Sequence, residues 1–198
     1  KLLATMYVAL AIFIFGVLLP IALLARVPLK EFLRAVAEPV TIAFGTASSE
    51  AALPRAMEHM EALGVPRETV AFVLPTGYSF NLDGSSLYQS LALIFIVQAA
   101  GLHVSIGQEI VMLLTLLISS KGTAGVARAS LVIVFATAAS FHLPTEPLFL
   151  LFGIDQLMDM GRTAVNVLGN CLACVVIARW EGEFHLAAPK IAASTDAL

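Results

Sequence analysis

In the run GIDQLMDMGRTAVNVLGN, the polar residues Asp155, Asp159, Arg162, Thr163, Asn166 and Asn170 recur at regular intervals. Steps of four, three, four and four lead from Asp155 through Asp159, Arg162 and Asn166 to Asn170. At 3.6 residues per turn these five fall within about 80° of arc, with Thr163 just beside them. One helix face is therefore polar, and the rest is Leu, Met, Val and Ala. A guanidinium is a planar fork that matches a carboxylate, and a nearby carboxylate suits an ammonium. Arg162 and Asp159, one turn apart, could together hold a zwitterion that carries a further carboxylate, such as an acidic amino acid. The plainer alternative is an internal i, i+3 ion pair that only locks helices together.

A second polar stretch, PTGYSFNLDGSSLYQS at 75–90, lies between the apolar runs ETVAFVL and LALIFIVQAA. Asn81 and Asp83 supply hard oxygen ligands, while Pro75, Gly77 and Gly84 let a helix unwind and expose carbonyls. Such oxygens suit a small hard cation. The alternative is a kinked helix whose polar groups bond only to neighbouring segments.

The elements that must position these groups are those of a membrane protein. The chain has 198 residues, is 59% hydrophobic and 13% charged, and has a mean hydropathy of +0.92. Soluble domains sit near half apolar and a quarter charged. Residues 7–25, YVALAIFIFGVLLPIALLA, form an apolar run about as long as the roughly 20 residues a helix needs to span the hydrocarbon core. The run is too long for the apolar part of a signal peptide and no small-residue cleavage site follows it. Pro20 is expected to kink it. Because Lys1 leads directly into a span, the chain is expected to be the C-terminal part of a longer protein. A charge on the stripe of residues 155–170 at the bilayer centre would cost at least roughly 2.5–3.5 kcal/mol, so that face must meet protein or water.

Arg26, Lys30 and Arg34 follow the first span and mark the cytoplasmic side. VTIAFGTASSEAALP is too short to span and ends in a Ser-rich turn, which predicts a segment that enters the membrane and turns back. Residues 55–69 are charged and return to the cytoplasmic side. GLHVSIGQE and HLPTEP lack Lys and Arg, as outer connections do, and between them two half-length apolar arms flank SKGTAGVARAS, predicting a hairpin from outside. The last span covers about 148–178, and Arg179 marks its cytoplasmic end. The expected order is 1–27 a transmembrane helix, 28–67 an inner re-entrant hairpin, 68–100 a broken transmembrane helix, 101–145 an outer re-entrant hairpin, 146–180 a last transmembrane helix, and 181–198 a disordered cytoplasmic tail. The fold class is all-α integral membrane, and two opposed hairpins around a broken helix suggest an inverted repeat, as in secondary transporters. Cys171 and Cys174 read as small polarizable core residues, since a zinc site would need two further ligands. No basic patch supports nucleic-acid binding.

Four segments, TASSEAALP, GYSFNLDGSSLYQ, SSKGTAGV and DMGRTAVNVLGN, in this order, resemble the signatures of the glutamate/aspartate and dicarboxylate symporter family, with bacterial proton/sodium–glutamate symporters nearest in character. The resemblance runs over nearly the whole chain and implies a symporter with an elevator-type transport domain on a trimeric scaffold. Ser48 and Ser49 would form the inner hairpin tip that meets a substrate carboxylate. Arg162 would bind the side-chain carboxylate and Asp159 the amino group, with Thr163, Asn166 and Ser85 completing the pocket. The outer hairpin, around Val126 and Ser130, would close over the substrate. The resemblance places one coupling cation at Asn81 and Asp83, a second with the Gly77 carbonyl, and a third at carbonyls around Ser79, Ser120 and Thr123, with Asn166 and Asn170 also among the cation-binding residues.

This chain departs from the sodium-driven members at Leu82, where they have Met, and at Asn170, where they have an acid. Loss of that carboxylate makes protons an alternative to sodium as coupling ion; no other cofactor is implied. Some members carry Arg in the inner hairpin where this chain has Ala47, so Asp155 has no assigned partner, and the outer tip reads Ala127-Arg128 instead of Pro-Gly. The expected protein is a multi-pass protein of the inner (plasma) membrane that moves glutamate or aspartate. A C4-dicarboxylate carrier is the nearest rival, against which Asp159 argues because it would repel a dianion. An intramembrane aspartyl protease using Asp83 and Asp159 lacks the GxGD segment, and a purely structural subunit would leave Arg162 without effect on uptake.

Overall fold

Pro20 sets the character of the first span. It lacks an N–H, so the carbonyl one turn before it loses its helical donor. In the computed structural model, which describes residues 1–120, 128–144 and 146–186, this defect is absorbed upstream. Helix α1 (Leu2–Phe13) widens into a π-helical turn, Ile14–Leu18, before α2 (Leu19–Leu24) resumes. The Leu19 N–H accordingly reaches back five residues, to the Ile14 carbonyl. The 23-residue rod Leu2–Leu24 is about 34 Å long at 1.5 Å per residue, enough to cross a bilayer core. Ile12, Phe15, Leu23 and Leu24 stand exposed along it.

A pair of helices follows, α3 (Leu29–Thr46) and α4 (Ser49–Leu63), joined by Ala47 in the left-handed region and by Ser48. Ser48 is the N-cap of α4, where its hydroxyl accepts the Ala51 N–H at 3.4 Å. Helix α5 (Arg67–Phe80) stops before Asn81 and Leu82, and α6 (Asp83–Ala99) starts beyond them. A second pair is formed by α7 (Ile106–Ser119) and α8 (Ala129–Ser140). Ser105 and Gln108 open α7 with a reciprocal capping box. The chain ends its described part in α9 (Glu146–Trp180), 35 residues long. Among the described residues every regular element is helical, and two helices are long and apolar enough to span a membrane: Leu2–Leu24 and the Phe149–Trp180 portion of α9.

Helix α9 is the central post, in contact with α1, α3, α4, α5 and α6. Its two halves belong to different apolar cores. Val167, Cys171, Leu172, Cys174 and Val175 pack with α2–α5, against Phe32, Val36, Met60 and Leu74. Leu151, Met158 and Val165 pack with α1, α6, α7 and α8, against Met6, Leu93, Ile96 and Leu116. The buried Cys171 and Cys174 are therefore core side chains. The residues of the polar stripe lie along the part of α9 where one core gives way to the other.

Helix α6 passes close to the backbone of α9 at Gly84. A Cβ there would strike the Arg162 carbonyl oxygen and come within 2.9 Å of the Arg162 Cα. Backbone cannot swing aside as a side chain can, so α6 would have to move off α9. Gly84→Ala is expected to destabilise the full-length protein by about 1–3 kcal/mol, as overpacking does. Gly153→Ala, which meets nothing within 4 Å, should be neutral within about 1 kcal/mol. Thermal unfolding of the two variants in detergent checks the contrast; equal melting temperatures would refute the close approach.

Candidate functional site

The break between α5 and α6 gives the site its floor. Asn81 and Leu82 adopt φ/ψ of −111°/71° and −105°/67°, neither helical. The Gly77 carbonyl still accepts the Asn81 N–H at 2.7 Å, closing α5. Helix α6 begins with no cap from its own chain segment. Its first-turn donors are met from α9: Asn166 Oδ1 accepts the N–H groups of Gly84 at 2.8 Å and Ser85 at 3.3 Å, and Asn166 Nδ2 donates to Ser85 Oγ at 2.9 Å. Asn166 is thus an N-cap supplied by another helix.

One turn further along α9, Asn170 pairs with Asn81 itself. Asn81 Nδ2 donates to Asn170 Oδ1 at 3.1 Å, and Asn170 Nδ2 donates to the Asn81 carbonyl at 3.3 Å. Gly77 admits the Asn170 amide against its backbone, and Gly169 does the same for the Asp83 carboxylate, whose Oδ2 lies 2.8 Å from where a Cβ would stand. Gly77, Asn81, Asp83, Asn166 and Asn170 therefore form one oxygen-rich cluster at the helix break. Asp83 sits in the first turn of α6, where the helix dipole favours a carboxylate.

Beyond Asn166 lies the charged part of the stripe. Arg162 is 1% exposed; its Nε donates to Asp159 Oδ1 at 2.9 Å, and its guanidinium carbon lies 4.0 Å above the Tyr88 ring. Thr163 Oγ1 also donates to Asp159 Oδ1, at 3.1 Å, while Asp159 Oδ2 accepts the backbone N–H of Arg128 at 2.7 Å. Asp155 is fully buried. Its Oδ1 accepts the Tyr88 hydroxyl at 2.6 Å and lies 3.8 Å from Arg162 Nη1; its Oδ2 lies 3.9 Å from Arg128 Nε. Asp155, left without a partner by the sequence, thus has three. Arg162 Nη1 has no hydrogen-bond acceptor among the described residues. Buried ion pairs seldom stabilise more than an apolar replacement would, so packing alone gives no reason for this centre.

The remaining described residues expected at the site stand at helix ends. Ser48 and Ser49 open α4, the second of them buried; Ser130 is buried in the first turn of α8 and Ser85 in that of α6. Ser79 is half-buried in the last turn of α5. Ser120 is buried at the end of α7 with its hydroxyl donating to the Leu117 carbonyl at 2.9 Å. Thr123 and Val126 lie outside the described residues, as does the tail from 187 onward. The sequence reading passed over Tyr88 and Gln89. Gln89 is fully buried, and neither its Nε2 nor its Oε1 has a partner among the described residues. Their signal was available: two polar-bearing side chains, one turn past Ser85, at the head of the apolar run LALIFIV.

The model of the sodium:dicarboxylate symporter family matches residues 1–180. The chain belongs to that family. Among curated members of the sodium:dicarboxylate symporter family, it is 45% identical over 185 residues to the proton/sodium-glutamate symport protein of Bacillus caldotenax, covering 93% of this chain and 44% of the relative. It is 48% identical over 184 residues to the proton/glutamate-aspartate symporter of Escherichia coli, covering 93% and 42%. A C4-dicarboxylate transport protein of Bacillus subtilis is 41% identical over 185 residues, covering 93% and 44%. The chain spans less than half the length of these relatives. They are transporters rather than enzymes, which leaves the protease alternative without support.

The cap supplied by Asn166 generates a test within this family member. Asn166→Ala strips two buried N–H donors of their acceptor, a loss of about 1–3 kcal/mol for each group left unsatisfied. Asn166→Asp keeps the acceptor, and its carboxylate is compensated by the Gly84 and Ser85 N–H groups, the Ser85 hydroxyl and the positive end of α6. In detergent, the full-length Ala variant should melt well below wild type and the Asp variant close to it. Equal losses in both would refute the capping role.

Proposed function

We propose that the chain is the substrate- and cation-binding part of a symporter that moves acidic amino acids, glutamate or aspartate, across the plasma membrane. The observation that carries the reading is Arg162, a buried guanidinium with an Nη1 that no described residue satisfies. A carboxylate of the cargo is the natural acceptor for it. Asp159, one turn away, takes the ammonium once Arg128 and Thr163 give up its oxygens, and Ser48, Ser49, Ser85, Thr163, Asn166, Ser130 and Val126 complete the pocket. The relatives named as glutamate or glutamate-aspartate symporters support this choice.

Coupling is to sodium, protons or both. The oxygen cluster at Gly77, Asn81, Asp83, Asn166 and Asn170 suits a hard cation, with Ser79, Ser120 and Thr123 at a further position. The α3–α4 and α7–α8 pairs act as inner and outer re-entrant hairpins, and the unit moves as an elevator against a trimeric scaffold supplied by the rest of the protein. The tail faces the cytoplasm. A C4-dicarboxylate carrier is the second reading. One observation favours it: both Asp159 oxygens already accept hydrogen bonds, from Arg162, Thr163 and Arg128, so an ammonium must displace one of these partners.

Full-length protein in liposomes tests the choice. Radiolabelled aspartate and glutamate should accumulate under an inward sodium or an inward proton gradient, imposed separately. Arg162→Ala should lower the uptake efficiency at least about a hundredfold. Absence of uptake of either amino acid under both gradients, with uptake of succinate, would move the dicarboxylate reading to first place.

A further inference from the structure

The α9 stripe holds two buried carboxylates, Asp155 and Asp159, and one buried guanidinium, Arg162. Left to themselves these three sum to one negative charge. Both carboxylates draw on the same guanidinium, Asp159 at 2.9 Å and Asp155 at 3.8 Å. Such a centre opposes an anion, because charges a few ångströms apart in a weakly polar surrounding interact strongly. The fourth charge comes from another element. Arg128, at the start of α8, places its Nε 3.9 Å from Asp155 Oδ2, an oxygen with no hydrogen-bond partner among the described residues. Its backbone N–H donates to Asp159 Oδ2 at 2.7 Å. One residue thus meets both carboxylates, by main chain and by side chain.

The backbone of Arg128 makes the side chain harder to dismiss. Its φ is 65°, in the left-handed region that glycine occupies at no cost and an L side chain only with strain. The Arg128 side chain is 50% exposed, whereas Asp155 is fully buried.

We propose that Arg128 sets the anion affinity of this carrier: its guanidinium balances Asp155, which leaves the charge of Arg162 available to a cargo carboxylate. Tyr88 completes the arrangement by donating its hydroxyl to Asp155 Oδ1 at 2.6 Å. Without Arg128, Asp155 turns to Arg162 and competes with the cargo for it. Arg128 acts through Asp155, so it is a positioning residue. The inference rests on the reading that the cargo carries a carboxylate bound by Arg162, and it applies to an acidic amino acid and a dicarboxylate alike.

The test uses full-length protein in liposomes, with concentration-dependent uptake of aspartate, succinate and asparagine. Arg128→Gly keeps the left-handed backbone and its N–H to Asp159 while deleting the whole side chain, guanidinium included. Arg128→Lys keeps the charge, and Arg128→Gln is the charge-deleting alternative should the glycine variant not fold. For whichever anion wild type accumulates, KM should rise about tenfold in the Gly or Gln variant with little change in kcat, and much less in the Lys variant. Raising ionic strength should raise the wild-type KM and leave that of the Gly variant nearly flat. An unchanged KM in the Gly and Gln variants, or an equal loss in the Lys variant, overturns the proposal. Wild type that takes succinate and not aspartate refutes the amino-acid reading alone, and Arg128 is then judged on succinate. Wild type that takes up neither anion overturns both.

Discussion

Charge cannot be left alone in a medium that does not solvate it, and the arrangement around α9 follows from that constraint. Asp155, Asp159 and Arg162 are all buried, where an uncompensated ion is several kcal/mol out of place. Each must therefore be met by groups from other parts of the chain. Tyr88 comes from α6, Arg128 from the start of α8, and the Asn166 amide ties the same face to the first turn of α6. The two apolar cores lie to either side, one around α2–α5 and one around α1 and α6–α8. The polar centre thus has packing above and below it and hydrogen-bonding partners around it. Its geometry is fixed by what the charges require.

The helix break serves the same centre by a different route. Two consecutive non-helical residues between packed helices release donors and acceptors that need partners. Here they are satisfied by amides: Asn170 pairs with Asn81, and Asn166 covers the first N–H groups of α6. Asparagine offers both a donor and an acceptor without a net charge. An acid at position 170 would present acceptors only and would add a negative charge beside Asp83. The pairing of Asn170 with both the side chain and the carbonyl of Asn81 is a neutral way of closing the same gap.

Much of this was legible in the sequence because it is periodic or local. The stripe on α9 follows from steps of three and four, and the break from Pro75, Gly77, Asn81 and Gly84 within a few residues of one another. A kink was expected at Pro20; what the structure shows is a π-helical turn upstream of it, at Ile14–Leu18. What could not be read were the partners. Arg128 is 27 positions from Asp155, and spacing of that size carries no geometric information across two helices and a loop. Tyr88 could be placed one turn past Ser85, at the head of an apolar run, but its role could not be read: only its hydroxyl meeting Asp155 sets it apart from a core aromatic. Asn166 was expected to meet cargo or cation, and nothing local in its surroundings signals that it closes another helix.

That borrowed cap has a mechanical side. A helix whose first turn is closed by its own residue can slide along a neighbour and stay closed. Helix α6 cannot, because its closing group is a side chain of α9. A shift of one turn, about 5.4 Å, would strip two amide hydrogens of their acceptor and break the Asn81–Asn170 pair in the same stroke. The two helices are geared together, and any large displacement of the polar centre has to carry both as a single body.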